Sequence, residues 1–458
     1  MPEIIIIGGG PGGYETAVKA AAKGCSVHLF DHASHLGGTC LHEGCIPTKS
    51  LCHAASVWKT AKEAACFGAT APDNAAFRMD EAQQQKQGVI EALHKGIQQL
   101  LKNPLITLHD TYATLNPNDA HEVVTAEGER FRADYVIIAT GSQPRTLPIP
   151  GADHPDILTS TSILQLTAVP ESLCIIGGGV IGLEFAGIFS ALGTKVTVVE
   201  YAKEILPNFD RDLAKRLRTA MKRQGVEFVT GAAVTAIHRE EETGAWHVSY
   251  EYRNAVKDAV SQQVLMAVGR SPRLDVLGAG VAGLEATPRG IQVDDCMQTT
   301  LPGVYAIGDV NGLCPLAHAA TRQGERALAH ILGEAPEQMP PLSPVPAAVF
   351  TEPEAAMVGL TEEQAAEACA DAKVYKAFYR ANGRALTMQA GADGVVKVIA
   401  DAEGHVLGAH LLGAHAAELV HEVALLMTNH GTLADLCRTI HAHPTLSEIV
   451  AAACANGL

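Results

Sequence analysis

Apolar residues along this chain gather into short runs that stop at glycine. The stretch IIIIGGGPGGYETAVKAAAKGCSVHLFD (4–31) reads as an apolar strand, a glycine turn, a helix and a second strand. CIIGGGVIGLEFAGIFSALGTKVTVVE (174–200) repeats that order. Gly8, Gly10 and Gly13 match Gly177, Gly179 and Gly182 at a constant offset of 169 residues, and Asp31 and Glu200 share it. Three further apolar strands, in VIIATGSQPR (136–145), LMAVGRSP (265–272) and VYAIGDV (304–310), also end at glycine. Beyond residue 333 the run EAPEQMPPLSPVP holds five prolines in thirteen residues and reads as a boundary. After it, strand-like VVKVIADAEGHVLGAHLLG and helical AAELVHEVALLMTNHG predict an α+β domain.

A single GxGxxG can be no more than a turn. Here each copy follows a strand, opens a helix, and precedes an acid 18 residues after its third glycine. The glycines allow the tight turn, the approach of backbone to a pyrophosphate, and close packing of helix on strand, while the helix N-terminus attracts phosphate. Two dinucleotide sites follow. At the second, Glu200 would repel a 2′-phosphate, so NAD is favoured over NADP. Lys203 reads as a solvated loop lysine.

At 458 residues the chain exceeds one core, and three or four packed units are expected. A net charge of −16 argues against a nucleic-acid partner, which would need clustered Lys and Arg. No apolar run reaches membrane-spanning length uninterrupted, and the opening MPEIIIIGGG reads as a strand running into a glycine turn with no room for a signal peptide, so a cytoplasmic protein without a membrane partner is expected. Most of the eleven cysteines, such as Cys66, Cys174 and Cys437, sit alone in apolar surroundings and read as reduced core thiols.

The exception is GGTCLHEGCIPTKS (37–50), with Cys40 and Cys45 between a glycine pair and Pro47. Pro47 suits the first position of a helix, which places Cys45 at the positive end of the helix dipole with Lys49 one turn on. Both features favour a thiolate. Three readings fit: two unconnected buried thiols, a zinc site completed by His42 and His53, or a redox-active pair beside a flavin. The last is favoured by the dinucleotide unit immediately upstream, and no second CxxC-like pair supports zinc.

GGTCLHEGCIPTKS resembles the redox-active segment of the flavin-dependent pyridine nucleotide disulfide oxidoreductases, and the similarity runs over nearly the whole chain in the same order. IHAHPTLSEIV (440–450) and PLAHAAT (315–321) look most like the family's dihydrolipoamide dehydrogenase branch, the E3 component of 2-oxo acid dehydrogenase complexes. The resemblance implies an α/β fold with two Rossmann-like FAD- and NAD-binding domains plus a C-terminal α+β dimerisation domain. Its parts would be an FAD-binding domain at 1–145, an NAD-binding domain at 146–270, a central domain completing the FAD site at 271–338, and an interface domain at 339–458. Gly8, Gly10, Gly13 and Asp31 would hold the adenosine end of FAD, with Thr39, Ala113, Gly141, Asp309 and Ala317 lining the rest. Lys49 would lie by the flavin, paired with Glu184. Gly177, Gly179, Gly182, Glu200, Val234 and Gly269 would bind NAD.

The resemblance makes Cys40 and Cys45 the redox pair and implies that His443 and Glu448 are the proton-transfer pair, with no metal. His443 precedes a proline and so leaves helical geometry. Thr445 and Glu448 also have capping-box spacing, and His441 reads as structural. His42 and Glu43 depart from the family's usual Asn and small apolar residue, and Thr48 from its common Ser; Glu43 is expected to raise the thiol pKa values. The implied activity is oxidation of protein-bound dihydrolipoamide with reduction of NAD. The implied assembly is a homodimer served by lipoyl-bearing subunits of a 2-oxo acid dehydrogenase complex or the glycine cleavage system. The alternatives are another flavin-dependent disulfide reductase of the same fold and a non-catalytic zinc-stabilised nucleotide-binding protein.

Overall fold

The computed structural model describes residues 1–70, 75–278, 280–389 and 393–458. They form two compact units, the first made of Met1–Ser50, Asp80–Arg145 and Arg270–Leu342, the second of Leu51–Met79, Thr146–Gly269 and Ser343–Leu458. The break at Leu342/Ser343 falls inside the proline run.

In the first unit the isoleucine run becomes the central strand, Glu3–Ile7, of a five-stranded parallel sheet. Ser26–Phe30 and Ile106–His109 lie on one side of it, Tyr135–Ile138 and Val304–Ala306 on the other. A continuous apolar run is what such a strand needs, because both of its faces are buried. Ile4 and Ile6 enter one core with Val27, Leu29 and Ile137; Ile5 and Ile7 enter another with Phe30, Val136 and Ile138. Helices Pro11–Ala22 and Ala317–Ile331 cross where side chains are smallest. A methyl on Gly324 would overlap the Thr16 hydroxyl, and one on Gly12 would crowd Ala320.

The second unit repeats the plan with a parallel sheet in the order Glu227–Thr230, Lys195–Glu200, Ser172–Ile176, Gln263–Met266. An antiparallel meander, Ala233–Arg239, Trp246–Tyr252 and Ala255–Ser261, shares a core with it. The residues after the proline run form a five-stranded antiparallel sheet, ordered Ala347–Val349, Glu354–Gly359, Val406–Gly413, Val395–Ala400, Lys373–Phe378. Helices Ala416–Thr428, Leu433–Arg438 and Ser447–Ala455 contribute to its core. The mixed α/β fold class holds.

Two expectations are corrected. The redox-segment helix runs Cys45–Glu63 and so begins two residues before Pro47. Pro47 still fits, because amides in a helix's first turn have no partner within the helix. Of the three thiols expected in the core, only Cys174 is fully buried, whereas Cys66 is exposed and Cys437 partly so. No helix among the described residues is long and apolar enough to cross a membrane.

A buried ionic cluster ties helix Arg211–Arg223 to the antiparallel sheet. Asp210 caps that helix, accepting from the Asp212 and Leu213 amides, and its carboxylate lies 2.7 Å from the Lys397 ammonium. Lys397, on strand Val395–Ala400, also lies 2.7 Å from Glu362. Burial alone would push Asp210 up and Lys397 down, but the neighbouring charges and hydrogen bonds, from Lys397, His410 and the Leu213 amide on Asp210 and from Asp210 and Glu362 on Lys397, together outweigh it, leaving Asp210 below and Lys397 above its ordinary value. The depressed carboxyl stabilises the fold above the ordinary carboxylate range and loses that contribution as pH falls through its lowered value. The raised amine contributes below the ordinary lysine range and loses it as pH rises through its elevated value. Lys397→Met should therefore cost about 3–5 kcal/mol near neutral pH, because it strands a buried carboxylate. Denaturant unfolding at pH 7 measures this, and the deficit should shrink in acid.

Candidate active site

The two glycine motifs fold alike. Gly8 and Gly177 both take positive φ, +109° and +111°, where a side chain would also strike the carbonyl of Ala139 or Ala267. Methyls on Gly13 and Gly182 would overlap the carbonyl oxygens of Gly8 and Gly177, so only glycine lets each helix come this close to its strand. Gly10 and Gly179 are the N-caps of helices Pro11–Ala22 and Val180–Leu192; neither helix end has a side-chain cap or an acid in its first turn. Nothing lies within 4 Å of a methyl placed on Gly10 or Gly179. Open space over uncapped amides suits a pyrophosphate. Asp31 accepts from the Gly9 amide at 2.6 Å, and Glu200 accepts from the Gly178 amide. Each acid thus holds its own glycine turn from the end of the next strand.

The redox segment is built by a reversal. A short helix, Gly38–His42, carries Thr39 and Cys40; the Glu43 amide closes on the Thr39 carbonyl at 2.9 Å, and Gly44 passes the chain into the helix that Cys45 opens. Cys45 is exposed and Cys40 partly buried. A hydrogen bond to Cys45, burial and the neighbouring Cys45 charge all push the Cys40 thiol up, while Lys49 pulls it down. Cys40 therefore holds its proton more tightly than an ordinary thiol does.

Glu43 sits in the loop between the two cysteines. Its carboxylate lies 3.8 Å from His35, and its charge is felt by Arg270. His42 turns its Nε2 to the Leu36 carbonyl at 2.9 Å and stacks on His35, which makes it a structural peg. Among the described residues, the grouping of side chains that could hold a metal ion is Asp401, Glu403 and His405, and it includes neither cysteine.

Cys40 also faces a cavity of roughly 450 Å³ bounded by Pro11, Tyr14, Glu15, His318 and Arg322. Burial, Glu15 and Cys40 push the Tyr14 phenol up to about 12. At the carboxyl ends of the strands, Gly141 takes φ +73° and accepts the Arg273 amide through its carbonyl, Ala113 is buried at the start of strand Ala113–Asn116, and Ala317 opens its helix. Asp309 accepts the Ser142 hydroxyl at 2.5 Å, and the same Ser142 accepts the Arg270 guanidinium at 2.7 Å. Burial lowers the Arg270 pKa, opposed by Asp309, Glu43 and Cys45. Sequence reasoning missed Arg270, Ser142 and Tyr14. Arg270 could have been found, because it follows Gly269 in LMAVGRSP.

Residues picked from the sequence divide between the units. Thr39, Cys40, Cys45, Lys49, the first glycine motif, Asp31, Ala113, Gly141, Asp309 and Ala317 lie in the first. The second glycine motif, Glu184, Glu200, Val234, Gly269, His443 and Glu448 lie in the second. There the buried Glu184 accepts the Phe350 amide at 3.0 Å, Val234 sits on the first meander strand, and Gly269 has φ +105°. Glu448 uses both oxygens, one 2.9 Å from His443 Nδ1 and the other accepting the Thr445 amide at 2.8 Å. The Thr445 amide, then His443, hold the Glu448 carboxyl below its usual range. The capping box is only half made, since the Thr445 hydroxyl donates to the Ala442 carbonyl. The His443 imidazole is 79% exposed, whereas His441, 9% exposed, is tied to Glu422.

Two dinucleotide cradles and a thiol pair on one chain define a disulfide oxidoreductase built around nucleotide cofactors. The family model for pyridine nucleotide-disulphide oxidoreductase matches residues 2–324, and that for its dimerisation domain matches 345–454. The chain belongs to the pyridine nucleotide-disulphide oxidoreductase family. Its cofactors are FAD and NAD, and it is a flavoprotein disulfide oxidoreductase of the dihydrolipoyl dehydrogenase group. A dihydrolipoyl dehydrogenase of Bacillus subtilis is 39% identical over 97% of this chain and 96% of its own. One of Thermus scotoductus is 40% identical over 97% and 95%. Among solved structures, LpdA of Mycobacterium tuberculosis superposes with a TM-score of 0.90 at 28% identity over the whole of both chains. The HOCl-induced flavoprotein disulfide reductase RclA of Escherichia coli gives 0.86 at 31% identity over 99% of each.

The two glycine contacts should be separable. Gly13→Ala should yield protein lacking visible flavin absorbance, whereas Gly182→Ala should stay yellow and lose reduction of its flavin by NADH. Spectra of the purified variants, with and without NADH, measure both.

Proposed function

We propose that the chain is a dihydrolipoyl dehydrogenase, which oxidises protein-bound dihydrolipoamide to lipoamide and reduces NAD to NADH. What supports this reading is the Cys40/Cys45 thiol pair together with an exposed His443 held by Glu448, the imidazole being assigned to act on the thiols of the other subunit of the homodimer. In the oxidised protein, His443 takes the proton of one substrate thiol. The thiolate attacks Cys40, the Cys40–Cys45 bond breaks, and Cys45 leaves as thiolate. The second substrate thiol gives up its proton and attacks the substrate sulfur of the mixed disulfide, releasing lipoamide and the Cys40 thiolate. The substrate loses two electrons and the protein couple gains them. Bound FAD supplies the two-electron connection between that couple and NAD.

Glu448 keeps the His443 ring oriented through Nδ1, which leaves Nε2 for the substrate proton. Lys49 draws the pair toward its ionised form. Gly8, Gly10, Gly13, Asp31, Thr39, Ala113, Gly141, Asp309 and Ala317 are assigned to FAD; Gly177, Gly179, Gly182, Glu200, Val234 and Gly269 are assigned to NAD, with Glu184 beside them. The assigned domains are 1–145 and 271–338 around FAD, 146–270 around NAD, and 339–458 as the interface of a homodimer. Support for the last is the dimerisation-domain match. Lipoyl-bearing subunits are the assigned partners, the cytoplasm is the assigned compartment, and the −16 net charge favours docking on a basic segment. The likeness to RclA favours a second reading, a reductase of some other disulfide. Steady-state assays with lipoamide, glutathione disulfide, NADH and NADPH in turn separate the two.

His443→Ala should lower lipoamide turnover about 10²- to 10⁴-fold while leaving reduction of the flavin by NADH in place. Rapid-mixing absorbance and steady-state rates read the two halves separately, and unchanged lipoamide turnover would remove His443 from the mechanism.

A further inference from the structure

We propose that a self-neutralised set of charges at the mouth of the Cys40 cavity makes the enzyme select a neutral dithiol over one bearing a carboxylate, and that Glu325 sets the selection. This rests on the reading of the chain as a dihydrolipoamide oxidant. Helices Pro11–Ala22 and Ala317–Ile331 wall the cavity, which at roughly 450 Å³ suits the arm of a small molecule. The lining takes in Cys40, from the short helix Gly38–His42, together with Glu15, Arg322 and Glu325.

A carboxylate entering here would look for a cation, and the nearby cations are Lys19 and Arg322. Both are occupied. Lys19 lies 3.3 Å from Glu15 and 2.8 Å from one Glu325 oxygen, and Arg322 lies 2.8 Å from the other. Glu325 thus spends both oxygens on cations from two different helices. The close helix crossing at Gly324 and Thr16 brings them into reach. Two acids and two bases leave no net charge. These side chains are a quarter to a half exposed, so the pairs add little to stability. Their consequence is for recognition. An anionic arm gains no counter-ion and meets two carboxylates, whereas an amide arm has no charge to match.

Dihydrolipoamide and dihydrolipoate carry the same dithiol and differ only in the terminal amide or carboxylate, so the ratio of their kcat/KM values isolates the charge. Glu325→Gln leaves one net positive charge at the mouth and should raise the dihydrolipoate-to-dihydrolipoamide ratio about three- to tenfold at low ionic strength. Arg322→Gln leaves one net negative charge and should lower it. Both shifts should contract at about 0.5 M salt. A general loss of fold would lower both substrates together, so opposite movements of the ratio cannot come from damage. A ratio unmoved in both variants, or moved the same way in both, would overturn the assignment of Glu325. A wild-type protein that oxidises neither dithiol would instead overturn the dihydrolipoamide reading, and this inference with it.

Discussion

The structure depends on a contact that only glycine permits, the seating of helix on strand at Gly13 over Gly8 and again at Gly182 over Gly177. A methyl at either place would drive the helix off the carbonyl beneath it, and the uncapped helix amides would no longer point into the open space above Gly10 or Gly179. In the first unit the same seating fixes helix Pro11–Ala22 against helix Ala317–Ile331. The cavity in front of Cys40 lies along those helices. Helix Pro11–Ala22 thus serves both the glycine cradle and the cavity in front of Cys40.

Around the thiols the chemistry is set by competition between burial and charge. Burial and a sulfur neighbour keep a proton on Cys40, and Lys49 opposes them. In the same loop the Glu43 carboxylate lies 3.8 Å from His35 and its charge acts on Arg270. His42 is likewise absorbed into backbone support at Leu36.

Much of the fold was legible along the chain. The continuous isoleucine run, the paired glycine motifs and the acids at a shared offset predicted two parallel α/β sheets, because a strand buried on both faces and a helix seated on glycine each need particular residues at particular spacings. The site was legible where residue type decides chemistry, at Cys40, Cys45 and His443. It was hidden where proximity comes from distant segments. Ser142, Asp309 and Arg270 meet only because strands far apart in sequence end side by side. Glu448 shows the boundary: its spacing from Thr445 suggested a cap, and its second oxygen reaches His443 as well.

By itself the sequence determined the two nucleotide-binding folds, the thiol couple and the imidazole, since each is written in local pattern: periodicity, glycine spacing, and residues that few alternatives can replace. The tertiary structure alone decided which charges cancel. Lys397 meets Asp210, and Lys19 meets Glu325. The physical reason is that a charge's effect depends on its distance to other charges and on the water between them. Both are properties of how segments pack, and neither can be read from the order of residues in the chain.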